Sequence, residues 1–126
     1  MKIALDRLAE MRHNVGMKTL IRNTEQALDM RHPIKVKVYP GDGVSKEWAA
    51  YHTFKRGKHR IHIGAEPARG FHNILAHEIA HALCDEVHPG ADFHGIEFAV
   101  AALVIADLWK GWGIELGAVY DPEIDL

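Results

Sequence analysis

Asn73-Ile74-Leu75-Ala76-His77-Glu78-Ile79-Ala80-His81-Ala82-Leu83 is the stretch on which the reading of this chain turns. Its apolar residues suit a helix packed on a core, and inside it His77-Glu78-Ile79-Ala80-His81 forms an H-E-x-x-H motif. On a helix, residues i and i+4 share a face about 6 Å apart along the axis, so both imidazoles can reach one ion. Glu78 is rotated about 100° from His77, which lets its carboxylate miss the ion and accept a proton from a water there. The pattern predicts a helix from about Gly70 or Phe71 to about Val87, stopped by Pro89-Gly90. It also predicts one zinc ion per chain, with Glu78 as general base. Ten histidines in 126 residues make a chance match easier, so the weight falls on what surrounds the motif.

A catalytic zinc usually takes three protein ligands and leaves one position for water. The third must come from downstream, where His88, Asp92, His94 and Glu97 are the candidates. On an unbroken helix His88 shares the face of His77 and His81 but lies about 10 Å beyond His81. The metzincin pattern puts a histidine six residues after the second one and a glycine three after it; Val87 and Cys84 hold those places. His94 is better placed, because the segment from Asp85 to Phe93 is long enough to reverse the chain. Glu97, one turn further on, would face solvent or accept a hydrogen bond from a ligand histidine.

Working outward, a second helix is expected from about Phe93 to about Lys110, ending in Gly111-Trp112-Gly113. It is apolar almost all round, so it is expected to be buried and to back the site. Upstream, Ile34 to Tyr39 alternates valine with lysine, Trp48 to Phe54 is aromatic and alanine-rich, and Arg60 to Ile63 is closed by Gly64. Pro40-Gly41-Asp42-Gly43 and Lys55-Arg56-Gly57-Lys58 are turns, and such short connections favour antiparallel neighbours. The first thirty residues read as helix in one or two pieces about Gly16, with Leu5, Leu8, Met11 and Val15 preceding Leu20, Ile21, Thr24 and Leu28. The tail from Glu115 to Leu126 is acidic and irregular in pattern. Residues 1–126 are thus expected to form a single α+β domain: an N-terminal helix, a three-stranded antiparallel or mixed sheet, the H-E-x-x-H helix and a C-terminal backing helix.

The stretch from Asn73 to Leu83, followed by His94-Gly95-Ile96-Glu97-Phe98, resembles the SprT-like zinc metallopeptidases, which pair a helical H-E-x-x-H with a downstream H-G-x-x-F. The resemblance implies zinc on His77, His81 and His94, Glu78 as catalytic base, and a minimal zincin-like fold. It covers about residues 60 to 105, and only the motif residues are specific. Many SprT-like proteins add a four-cysteine zinc ribbon or another DNA-binding appendage and act on protein–DNA crosslinks; these residues hold one cysteine and cannot build the ribbon.

Composition bounds the alternatives. An apolar fraction of 48% and a charged fraction of 25% are those of a globular domain. With Cys84 alone, an intramolecular disulfide and cysteine-rich zinc modules are excluded. No run of eighteen uncharged apolar residues occurs, and charges arrive too early for a signal-peptide core, so a cytoplasmic location away from membranes is expected. The net charge of −2 conceals a basic first half (+7 over residues 1–63) and an acidic second half (−9 over residues 64–126). Two solvated faces account for this, and so does a basic surface that touches nucleic acid.

The remaining candidates are lesser ones. His62 and Ile63 lie on the strand before the active helix, expected to be the sheet edge that receives an extended peptide. Tyr51, His52 and Tyr120 could stabilise an oxyanion. His72 is expected at the helix entrance, and His13, His32 and His59 on the surface. Cys84 reads as a small buried hydrophobe, and Trp109 and Trp112 as core or helix-end packing. The functional expectation is a zinc-dependent peptidase acting on peptides or proteins. The alternative is a regulatory or nucleic-acid-associated protein that keeps the fold with little turnover.

Overall fold

A computed structural model describes residues 16–121. The expectations for Leu5 to Val15, for His13 and for the last five residues lie outside that range. By its contacts the chain parts into two compact units, Met1–Arg31 and His32–Leu126. In the first, residues 16–27 form helix α1. Thr24 donates its hydroxyl to the Leu20 carbonyl at 2.7 Å, and Asp29 adopts φ 52° just past the helix end.

The second unit holds three strands, β1 (Ile34–Tyr39), β2 (Ala50–Lys55) and β3 (Lys58–Gly64), then α2 (Phe71–Val87) and α3 (Ile96–Gly111). Among the described residues these elements make a small α+β arrangement of three helices and one three-stranded mixed sheet. Strand order is β1-β3-β2, with β1 parallel and β2 antiparallel to β3. β2 and β3 form a hairpin whose two loop residues, Arg56 and Gly57, both take positive φ (54° and 74°), as a type I′ turn requires.

The link from β1 to β2 corrects the expectation that short connections make each strand the antiparallel neighbour of the next. It runs past the end of β3, pinned where Ala65 N–H donates to the Tyr39 carbonyl and Gly64 N–H to the Ala49 carbonyl. β3 is therefore the central strand. The expectation of a free edge at His62 and Ile63 fails, because both sides of β3 are already hydrogen-bonded; the edge strands are β1 and β2.

Strand parity sorts the two faces. Ile34, Ala50, His59, Ile61 and Ile63 are buried on the side of α2, while Lys35, Lys37, Lys55, Lys58 and Arg60 alternate onto the other face and are exposed. None of the three strands contains an aspartate or glutamate.

α2 runs as expected and is buried from Ile74 to Ala82. α3 begins three residues later than expected and ends in a Schellman-type cap, with Ile114 N–H on the Trp109 carbonyl and Gly113 N–H on that of Lys110. The expectation that α3 is buried all round is corrected. Phe98, Ala101, Ala102, Ile105 and Trp109 are buried, but Ile96 is 80% and Leu103 68% exposed, with Val100 and Val104 also open. A helix packed on one neighbour buries one stripe, whatever the composition of the other. Among the described residues no helix is long and apolar enough to cross a membrane.

Candidate metal centre

The site is built on α2 and closed by the turn before α3. His77 and His81, one helical turn apart, are buried, and so is Glu78 between them. His94 does not open α3 as expected. It sits in the preceding turn, where Gly95 N–H donates to the Asp92 carbonyl at 3.2 Å. That turn explains the glycine after the histidine: a Cβ on Gly95 would come within 2.9 Å of the Asp92 Cβ.

The outcome is convergence. Ring centroids lie 4.9 Å apart for His77 and His81, 5.3 Å for His77 and His94, and 5.0 Å for His81 and His94. One nitrogen from each ring falls within 4.8 Å of the other two. His88 is exposed at the end of α2, and neither it nor Asp92 nor Glu97 joins the cluster.

Phe98 supplies the floor. Fully buried, it stacks on His81 at 4.2 Å and meets His77 and His94 at 4.8 and 5.0 Å. The exposed Phe93 stacks on His81 from the preceding turn at 4.6 Å. These contacts hold the imidazoles in place through packing.

The tail, read from sequence only as acidic and irregular, contributes a part that side-chain reasoning could not find. Val119 is buried, and His77 Nδ1 donates to its carbonyl oxygen at 2.6 Å. A proton on Nδ1 leaves the Nε2 lone pair of His77 for an ion. Gly117 N–H donates to Asn73 Oδ1 at 2.7 Å, Asn73 Nδ2 donates to the Arg69 carbonyl, and Arg69 pairs with Asp121, so the strap is tied to the start of α2. A main-chain carbonyl carries no signal in a residue pattern.

Other candidates separate cleanly. His62 lies on the outer sheet face, bonded to the Tyr39 hydroxyl at 2.8 Å and stacked on Tyr51 at 4.5 Å, so neither His62 nor Tyr51 faces the cluster. Burial, then Lys37 and Arg60, lower the proton affinity of His62 below its ordinary value. Ile63 faces α2 but is fully buried. Tyr120 is exposed beside Val119. His52 is on the α2 side of β2, its ring parallel to that of His81 at 6.4 Å. Cys84 is buried, and burial first, then Asp85 and Glu97, push its thiol further from ionisation. Trp109 is core and Trp112 half exposed. His72 stands exposed on the first turn of α2. His59, expected on the surface, is 1% exposed, because strand parity turns it towards α2, where Glu86 binds it.

The three imidazoles, one ring already oriented by a carbonyl and all next to a buried carboxylate, form a group that could hold a metal ion. Comparison with known proteins adds no relative, since no family model, curated protein or solved structure matches the chain.

Proposed function

We propose that the protein is a zinc-dependent peptidase of the SprT-like kind. The observation that carries this reading is the meeting of His77, His81 and His94 beside a fully buried Glu78. Three imidazoles suffice to hold an ion, which leaves the Glu78 carboxylate for proton transfer.

His77, His81 and His94 would hold the metal. When bound, zinc supplies Lewis acidity towards a carbonyl oxygen and makes water acidic near neutral pH. Glu78 takes the proton of the attacking water and returns it to the leaving amine. β2, the sheet edge on the side of His52, offers its unpaired backbone groups to an extended peptide by strand addition. Phe98, Gly95 and the Val119 carbonyl keep the three rings aimed at one point.

The test separates metal from chemistry. Glu78→Gln is expected to keep one zinc at this centre while cleavage of an unfolded protein falls by about 10²- to 10⁴-fold. His94→Ala is expected to empty the centre, and His88→Ala to leave it intact. Cleavage by Glu78→Gln at the parent's rate, or none by the zinc-loaded parent, would overturn the reading.

One observation favours a second reading, contact with nucleic acid. The outer sheet face carries five exposed Lys and Arg side chains and no acid from any strand, with Tyr39, Tyr51 and His62 among them. Cations interleaved with rings are what a single strand's phosphates and bases require. The two readings use opposite faces of the sheet and are compatible.

A further inference from the structure

Behind the first cluster lies a second one. Glu86, in the last turn of α2, turns its carboxylate inwards, with its side chain 7% exposed. Its Oε1 lies 3.0 Å from Nε2 of the buried His59 on β3 and 3.2 Å from Nδ1 of His32, just before β1. The His32 backbone N–H also donates to that oxygen, at 2.9 Å. All three side-chain atoms lie within 4.8 Å of one another. We propose that His32, His59 and Glu86 form a second divalent-metal site, for zinc, distinct from the centre of His77, His81 and His94.

Three features support this beyond proximity. Glu86 Oε1 stands at ligand spacing from each imidazole nitrogen: bonds of about 2.0–2.1 Å around a tetrahedral ion put donors about 3.3 Å apart. Two imidazoles and a carboxylate are a zinc donor set, borderline in softness and carrying one negative charge. Finally, the surroundings orient a ligand histidine. His59 Nδ1 faces His52 Nε2 at 3.0 Å, and His52 Nδ1 lies 3.8 Å from the Asp85 carboxylate. With Nε2 of His59 on an ion, its Nδ1–H donates to His52, whose own Nδ1–H then points at Asp85. That is the outward chain of donors that tunes metal-bound imidazoles.

The site is open on one side, since the His32 side chain is 40% exposed. Its three ligands come from a loop, the central strand and the end of α2, separated by up to 54 residues. An ion there clips those three segments together, and His52 then stands between the clip and His81.

The experiment counts zinc. Tag-free apoprotein is titrated with Zn²⁺ alone against a chromophoric chelator, with far-UV circular dichroism confirming the fold of each variant. The parent should bind two equivalents, and His94→Ala one. Glu86→Gln, which keeps the carboxylate's shape without its charge, and His32→Ala, at a half-exposed position, should each bind one. If His94→Ala binds none, or if both Glu86→Gln and His32→Ala still bind two, the second site is overturned. If instead the parent and His94→Ala each bind one and His32→Ala binds none, the second site stands and the proposed peptidase centre fails.

Discussion

At the level of single residues, the motif positions divide into those that would bind and those that aim. Phe98 is of the second kind: its ring contacts all three imidazoles and is wholly buried. Phe98→Ala would open a cavity beneath the cluster and cost about 3–5 kcal/mol of stability, read from denaturant unfolding. A loss below about 1 kcal/mol would mean that the ring is not a packing element. Gly95 and His94 were legible as a pair in the sequence, but the reason for the glycine is its close approach to the Asp92 Cβ across the turn. His59 was misread because its strand parity depends on which face α2 covers, and the residue list alone does not say.

Elements were legible where local chemistry sets them. β1 and α2 have the expected bounds, and Gly113 ends α3 where the glycine cluster suggested. α3 starts at Ile96 instead of Phe93 because the reversal after Pro89-Gly90 consumes His94 in a turn. The tail strap escaped the sequence reading altogether, since its contribution is the Val119 carbonyl on His77. A chain ending at Leu116 would lose that acceptor, and its zinc affinity at the proposed centre is expected to fall about 10- to 100-fold. Unchanged affinity in a competition titration of the truncated chain would show that His77 needs no such partner.

For the whole molecule, the charge imbalance between the two halves resolves into a place. The excess of cations in the first half includes the strand lysines and Arg60 on the outer face of the sheet, while the acidic second half contains α2 and α3. If that face meets single-stranded nucleic acid, binding should weaken steeply with salt, and Lys37→Ala or Arg60→Ala should each lower the log–log slope by about 0.7. A salt-independent affinity, or slopes unmoved in both variants, would remove the second reading. Zinc removal should leave this binding intact, because the cations stand on the side of the sheet away from α2.

The linear chain sufficed for the helix that bears the motif and for the strand segments, because helical periodicity, strand alternation and turn chemistry act over a few residues. Strand order, the buried state of His59, the Val119 carbonyl and the cluster of His32, His59 and Glu86 required the folded molecule. Strand order pairs Ile34 with His59 across the sheet, and the other contacts join residues 27 to 54 positions apart that packing against α2 brings within bonding distance.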